Sequence, residues 1–238
     1  MIVRGIARAL RRLLRLVPQD AVIRILSGHL FWARWIVGSH THGCWLGTYE
    51  KSNQRIFRSN IKRGDVVWDI GANDGFFSLI ASRLVGASGC VCAYEPLPRN
   101  VAILRRHVAL NHAGNVHVSA LAISSSPGSA RFRAGAHPAM GSLADGGEIE
   151  VATDTVDGLI DRCGMPPPNF IKMDIEGGEV EALRGADRCL RTYRPIILLA
   201  AHGAARYDEC LSILTGHGYR CETVYQNQQA GDYAVLAR

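Results

Sequence analysis

A glycine turn follows the first strongly apolar run of this chain, residues 66–70. The turn holds Asp69, Gly71, Asn73 and Gly75. Ligands of open α/β sheets bind where strands end, and glycines there let the backbone approach a ligand closely. The spacing is Gly-x-x-x-Gly, so the Gly-x-Gly-x-x-Gly turn of dinucleotide-binding folds is missing. The turn predicts a cofactor pocket, although an ordinary strand–turn–helix unit also uses glycine.

An acidic residue ends the next apolar run. Glu95 lies 20 residues after Gly75, and Pro96 follows it. A carboxylate at this position can accept two hydrogen bonds from a ribose diol. A carboxylate at a strand end also occurs by chance. Together with the glycine turn, Glu95 indicates a cofactor of the adenosine type.

A third polar group, Lys172, Asp174 and Glu176, lies at the end of the run 169–175. Alternate residues of a strand share one face, so the three side chains point the same way. Ionisable groups at a sheet end are costly unless they are paired or functional. The structural alternative is a Lys172–Asp174 ion pair, with Glu176 opening a helix whose first turn favours acids.

Alternating strands and helices must position these groups. Apolar runs predict strands at 66–70, 89–95, 116–123, 131–134, 169–175, 195–201, 219–225 and 233–237, and helical periodicity predicts helices at 73–84, 97–111, 155–162, 179–190 and 207–217. This order is typical of a parallel sheet that is covered on both faces. The Gly/Pro-rich segment 134–147 is predicted to be a loop near the acceptor.

The N-terminal segment has a different character. Residues 1–17 place apolar residues on one helical face and arginines on the other, and a second helix is predicted at 20–37. We therefore expect a basic helical extension at 1–44 and the main domain at 45–238. Residues 1–37 are candidates for peripheral contact with the inner face of a membrane. Seven scattered cysteines without a CxxC pair and no apolar run long enough to span a membrane favour a cytoplasmic protein.

From about residue 47 to 202 the chain resembles the FkbM family of methyltransferases. The matching stretches are 49–50, 69–75, 94–98 with Asn111, 155–157, 171–179, 183–186 and 195–202. The resemblance implies methyl transfer from S-adenosyl-L-methionine, commonly to a hydroxyl of a sugar or natural product. It also implies a Rossmann-like class I α/β fold, with a mostly parallel seven-stranded sheet behind the N-terminal helices.

The resemblance also assigns residues to the site. Asp69, Gly71, Asn73, Gly75 and Glu95, with Pro96 beside it, map to the cofactor, while Asp174 and Glu176 map to the acceptor. One departure stands out, because Ala200 replaces an acid of the family pattern two residues before His202.

Proton transfer needs a base within reach of the acceptor, and Asp174 and His202 are the candidates. Lys172 and Glu176 complete the predicted catalytic group. We expect no metal requirement, because Ala200 and Ala201 remove ligands beside Asp174. The pair His40 and His42 is predicted to be a solvent-exposed loop feature.

Two other functions are compatible with the sequence. A nucleotide-dependent oxidoreductase would share the sheet but would use a different glycine turn. A catalytically silent, membrane-associated protein that binds the cofactor or a glycan would explain Ala200 and the basic leader. Residues 61–238 hold seventeen Lys/Arg and nineteen acids, which argues against a nucleic-acid partner. We expect a small-molecule or glycan acceptor, and a chain able to form homo-oligomers.

Overall fold

The computed structural model describes residues 17–134, 141–143, 149–227, 229 and 231–238. The predicted helix at 1–17 lies outside them apart from its last residue. The strands are β1 (Val22–Arg24), β2 (Arg34–Ile36), β3 (Val66–Ile70), β4 (Cys90–Tyr94), β5 (Val116–Ser119), β6 (Ala122–Ile123), β7 (Gly128–Ala134), β8 (Gly141–Leu143), β9 (Ile149–Asp154), β10 (Phe170–Met173), β11 (Ile196–His202), β12 (Cys221–Asn227) and β13 (Asp232–Ala237). The helices are α1 (His42–Leu46), α2 (Lys51–Asn60), α3 (Phe76–Val85), α4 (Pro98–Leu110), α5 (Val156–Cys163), α6 (Glu179–Arg184), α7 (Asp187–Thr192) and α8 (Ala204–Gly216).

The predicted seven-stranded sheet is confirmed. Its order is β12-β13-β11-β10-β3-β4-β5, and the five strands from β11 to β5 are parallel. β13 runs antiparallel to β11, and β12 antiparallel to β13. Because the chain winds outward in both directions from β3 and β10, the strand order reverses there. A ligand is expected at the carboxyl end of this reversal.

The sheet separates two hydrophobic cores. Trp68 and Ile171 face one core with side chains of α5 to α8, while Val67 and Phe170 face the other with α1 to α4. These strands are apolar on both faces, which is why they read as continuous apolar runs. Period-two alternation thus assigns each residue to a core.

The predicted helix at 20–37 is wrong. The segment forms the antiparallel pair β1–β2, with Val22 opposite Ile36. Gly28 and Trp32 have positive φ angles of 78° and 68°, which an α-helix does not allow. Trp35 is fully buried in the second core, so this part of the segment packs on the sheet. Truncating such a side chain to alanine costs about 3–5 kcal/mol. The domain boundary at residue 44 stays a prediction.

Three further predictions need correction. The single strand 116–123 divides into β5 and β6, because β6 leaves the large sheet and pairs with β9. The predicted loop 134–147 contains β8, which completes a four-stranded sheet of order β6-β9-β7-β8. The helix 179–190 divides into α6 and α7 around Gly185, where a side chain would collide with the carbonyl of Ser124. No described helix is long and apolar enough to cross a membrane.

Candidate active site

A cavity of about 350 Å³ opens at the carboxyl ends of β3, β4 and β10. It lies at the predicted reversal of strand order. Predicted site residues on its wall are Gly71, Asn73, Glu95, Pro96, Lys172, Asp174 and Glu176. Asp69 and Gly75 lie behind the wall, and His202 stands beside Asp174 and Glu176. The structure therefore gathers the three polar groups of the sequence around one space.

The glycines of the turn are required by the protein's own packing. Gly71 has a φ of 77°, and a side chain there would collide with the backbone carbonyl of Asp174. A side chain on Gly75, at φ 90°, would collide with Leu104. Asn73 also has positive φ, a conformation that asparagine tolerates well. The turn is thus also shaped by β10 and α4, while close approach to a ligand stays a prediction.

Glu95 lies on the part of the wall that the sequence assigns to the cofactor, which we name the cofactor-side wall. One carboxylate oxygen accepts from the Asn73 amide at 2.9 Å, and the other accepts from the Leu97 amide at 3.0 Å. Asn100 donates to the same oxygen as Leu97, at 3.3 Å. Burial raises the pKa of Glu95 above its ordinary value, although these donors oppose the rise. Each carboxylate oxygen has two lone pairs, so the oxygen that accepts from Asn73 keeps capacity for one hydrogen bond from a ribose hydroxyl.

Lys172 links the two sides of the site. Register places it opposite Asp69, and its ammonium lies 3.3 Å from that carboxylate and 3.9 Å from Asp174. It also donates to the Gly71 carbonyl at 2.9 Å. Burial lowers the pKa of Lys172, but the nearby charges of Asp69 and Asp174 raise it by more, so the net shift is upward. Asp69 is fully buried and also accepts from Ser78, and it therefore holds Lys172 from behind the wall.

The part of the wall that the sequence assigns to the acceptor, which we name the acceptor-side wall, carries a cluster of three acids and one histidine. His202 Nε2 lies 3.9 Å from Asp174 and 3.7 Å from Glu176, while its Nδ1 donates to Glu179 at 3.0 Å. The Asp174 and Glu176 side chains are 31% and 38% exposed, but Glu179 is fully buried. Glu176 adopts a positive φ of 55° without being glycine, a strain typical of functional turns.

The surroundings of His202 favour its protonated form at neutral pH. The hydrogen bond to Glu179 is the largest cause that raises its pKa, and the charges of Asp174 and Glu176 add to it, giving about 9. Burial acts in the opposite direction. Glu179 in turn has a lowered pKa, because hydrogen bonds from His202 and the Gly177 amide outweigh its burial. The side chain thus acts as a cation held by a buried carboxylate.

The N-terminal segment contributes wall residues that the sequence reasoning missed. His40, Thr41 and Tyr49 line the cavity, with the His40 and Tyr49 rings 5.0 Å apart. His40 is half-buried there, and His42 is half-buried at the start of α1, where it accepts from Trp45. The expectation of a solvent-exposed loop pair is therefore wrong. Tyr49 belonged to a stretch that matched the family pattern, whereas His40 and Thr41 gave no comparable signal.

Hydrogen bonds join the N-terminal segment to the glycine turn. The Ile36 amide donates to His107 Nε2 at 3.1 Å, so the neutral ring donates from Nδ1 to the Asp74 carbonyl at 2.7 Å. Burial lowers the pKa of His107 to about 4. Ser39 donates to the Asp74 carboxylate at 3.2 Å. Asp74 is itself buried, which raises its pKa to about 7.

Comparison with known proteins agrees with this geometry. The profile of the methyltransferase FkbM domain matches residues 69–221, which is more than half of the chain. The chain belongs to the FkbM methyltransferase family. Members of this family use S-adenosyl-L-methionine, and the cavity gathers the residues that the sequence assigns to this cofactor.

Individual relatives are distant. A hexuronic acid methyltransferase of Haloferax volcanii is 29% identical over 60% of this chain and 59% of its own length. A 31-O-demethyl-FK506 methyltransferase of Streptomyces tacrolimicus is 27% identical over 67% of this chain and 74% of its own. The crystal structure of an FkbM methyltransferase from Methylobacillus flagellatus has a TM-score of 0.53 at 18% identity. It covers 84% of this chain and 56% of that one, and it supports the Rossmann-like fold.

The wall chemistry fits the cofactor of this FkbM methyltransferase. One end of the cavity is apolar, with Leu97, Leu121 and Phe132, and suits a flat adenine. Glu95 suits the ribose. The other end carries Asp174 and Glu176, whose negative charges suit a sulfonium cation. S-adenosyl-L-methionine combines these three chemical parts.

Asp174, Glu176 and His202 also have the spacing to hold a metal ion. Their ligand atoms lie within 4.8 Å of one another among the described residues. The proton on His202 competes for this place, because a metal needs the neutral imidazole. The absence of a metal requirement stays a prediction.

Ala200 occupies the position where the family resemblance predicts an acid. It lies on β11 on the same face as His202, because alternate residues of a strand share a face. A small pocket there is bordered by Ala200, Lys172 and Asp174. Ala200 therefore leaves a small space beside Asp174, and Asn53 also borders it.

Proposed function

We propose that this FkbM methyltransferase methylates a hydroxyl group of a sugar, glycan or related natural product. The observation that carries the proposal is the half-exposed carboxylate of Asp174 on the cavity wall, beside the cationic His202. Removing a proton from a hydroxyl requires a base that reaches the acceptor. The names of the two relatives, a hexuronic acid methyltransferase and a 31-O-demethyl-FK506 methyltransferase, support an oxygen acceptor.

Asp174 is the proposed base. His202 already carries a proton at neutral pH, because its pKa is raised to about 9, and it is therefore a poor acceptor for another. Asp174 takes the hydroxyl proton as the acceptor oxygen forms its bond to the methyl carbon. S-adenosyl-L-methionine, when bound, supplies the methyl group as an electrophile and leaves as a neutral thioether. The chain's main contribution is to hold both reactants in line.

Two cations position Asp174. Lys172 is fixed by the buried Asp69 and the Gly71 carbonyl, so its ammonium holds Asp174 from the cofactor side. His202 is fixed by Glu179 and approaches Asp174 from the strand β11. Glu176 adds a second exposed carboxylate, which can accept hydrogen bonds from hydroxyl groups next to the reacting one.

The acceptor is inferred to be a small molecule or glycan rather than a nucleic acid. Residues 61–238 hold seventeen Lys/Arg against nineteen acids, and the acceptor-side wall is acidic. A phosphate backbone would meet repulsion there. Family membership also removes the oxidoreductase alternative.

The test is methyl transfer from isotope-labelled S-adenosyl-L-methionine to glycans with hexuronic acids, to neutral glycans and to polyhydroxylated natural products. We expect label in an ether on one of these classes, located by mass spectrometry. Label found only on nitrogen acceptors would contradict the proposal. Tight cofactor binding without transfer to any acceptor would instead favour the silent binding protein, the second candidate, which the loss of the family acid at Ala200 supports.

A further inference from the structure

The connection between β1 and β2 exposes an unusual amount of apolar surface. Among the described residues, six large hydrophobic side chains are exposed, and four of them fall within residues 22–32. They are Val22 (40% exposed), Leu26 (57%), Phe31 (56%) and Trp32 (59%). We name residues 25–33 the Trp32 loop. Grouped exposed apolar side chains mark interaction sites, whereas single ones are ordinary.

The Trp32 loop is held rigidly by the rest of the protein. Arg83, from α3, donates to the carbonyl groups of His29 and Phe31, both at 3.0 Å. Arg24 donates to the Trp32 carbonyl at 2.8 Å, and its guanidinium lies 5.5 Å from the Trp32 ring. The Phe31 and Trp32 rings are 5.8 Å apart. The two aromatic rings are therefore presented together as a fixed pair.

The backbone is strained in order to present them. Trp32 has a positive φ of 68°, which bulky residues rarely adopt. By contrast Trp35, three residues later, is fully buried. The fold thus buries one tryptophan of this segment and directs the other into solvent.

The charge around the loop is positive. Residues 17–41 contain Arg24 and Arg34, both exposed, and one acid, Asp20. Directly before them in the sequence, residues 1–16 contain five arginines and no acid. Exposed aromatic side chains beside basic groups match the boundary of an anionic bilayer, where indole binds at the headgroup level and arginine binds lipid phosphate or carboxylate.

We propose that the Trp32 loop is a membrane-docking surface that inserts Phe31 and Trp32 into the headgroup region of an anionic lipid bilayer. Arg24 and Arg34 then lie at the level of the headgroups. This site is separate from the catalytic cavity, so the proposal does not depend on the acceptor. Docking would let the enzyme work on acceptors at a membrane surface.

Vesicle co-sedimentation tests the proposal with the full chain. Removing residues 1–37 is not a clean test, because it also removes the buried Trp35. Phe31→Ser and Trp32→Asn change the loop alone, and asparagine tolerates the positive φ at 32. Tyr225→Ser is the matched control, since Tyr225 is 52% exposed on β12. We expect binding to phosphatidylserine-containing vesicles to weaken about tenfold in each loop variant and not in the control.

Tryptophan fluorescence gives a second, local readout. The chain has four tryptophans, and Trp35, Trp45 and Trp68 are buried. Trp32 is therefore the exposed one, and a blue shift or quenching by brominated lipid on vesicle addition reports its insertion. We expect both signals with anionic vesicles, and weaker ones with phosphatidylcholine alone.

Several outcomes would overturn the proposal. One is no sedimentation of the wild-type chain with anionic vesicles at low salt. Another is equal binding of the wild type and Trp32→Asn, which would leave the basic leader as the sole contact. A third is self-association that is lost in the loop variants without vesicle binding, which would make the loop an interface between copies.

Discussion

The two walls of the cavity hold their carboxylates in different ways. On the cofactor side, Glu95 has donors on both oxygens, and Asp69 is enclosed behind Lys172 and Ser78. On the acceptor side, Asp174 and Glu176 are partly exposed and contact their cation, His202, only at 3.7–3.9 Å.

This difference separates binding from reaction. A carboxylate held by backbone amides keeps its position, as a constant cofactor requires. A carboxylate with free lone pairs can take a proton and can meet acceptors of different shape. The walls are joined by Lys172, which contacts Asp69 and the Gly71 carbonyl on one side and Asp174 on the other.

The largest effect should come from a substitution on the acceptor-side wall. Asp174→Asn keeps the shape of the side chain but removes the base, so we expect turnover to fall about a hundredfold to ten-thousandfold. Affinity for the demethylated product, which lacks the sulfonium charge, should stay close to the wild-type value in calorimetry. Wild-type turnover in this variant would show that Asp174 serves only its ion pair with Lys172.

A change on the cofactor-side wall should lower cofactor affinity instead. Glu95→Ala should weaken S-adenosyl-L-methionine binding by about 1.5–3 kcal/mol, the range for hydrogen bonds to a charged group. Calorimetry measures this directly. Glu222→Ala is the control, because that carboxylate is exposed on β12 and its side chain is 65% accessible. Unchanged affinity in Glu95→Ala, with a folded protein, would remove the ribose assignment.

The pH profile tests how Glu179 positions His202. The His202 cation persists below its raised pKa of about 9, so kcat/KM should fall as pH rises through that value. Glu179→Gln removes the main cause of the rise and should move the falling limb to lower pH, toward 6.5, with a loss of several-fold at pH 8.

A surface pair provides the control for that shift. Asp187 lies 2.9 Å from His217, the same kind of acid–histidine pair, away from the cavity. Asp187→Asn should leave the falling limb of the kcat/KM profile at the same pH. A Glu179→Gln enzyme that is slower at every pH, with an unmoved limb, would indicate a purely structural role. A limb that rises through pH 9 in the wild type would make His202 the base.

The smallest effect is expected from metal removal. The proton on His202 competes with a metal ion for the imidazole, and Ala200 and Ala201 supply no ligands. A chelator should therefore leave turnover unchanged. Activity that is abolished by chelation and restored by magnesium would show that Asp174, Glu176 and His202 hold a cation instead.

The sequence predicted the parts of the molecule that depend on local pattern. Continuous apolar runs predicted β3, β4, β10 and β11. The chemistry at the strand ends pointed to Glu95 and Asp174, which the structure places on the wall of one cavity. It could not predict contacts that depend on distant packing. The segment 20–37 has enough apolar residues for a helix, but the positive φ of Trp32 is decided by partners such as Arg83. The role of Glu179 likewise depends on the meeting of α6 and β11.

The link between the N-terminal segment and the glycine turn has a consequence for cooperativity. The Ile36 amide is bound to His107, whose other ring nitrogen is bound to Asp74 in the turn. Opening of the β1–β2 pair therefore releases the turn that borders the cofactor, and the two belong to one unit of local unfolding. A ligand that binds the closed turn would stabilise this unit by mass action. Saturation with cofactor should thus slow hydrogen exchange at the Ile36 amide, on an element that need not touch the cofactor.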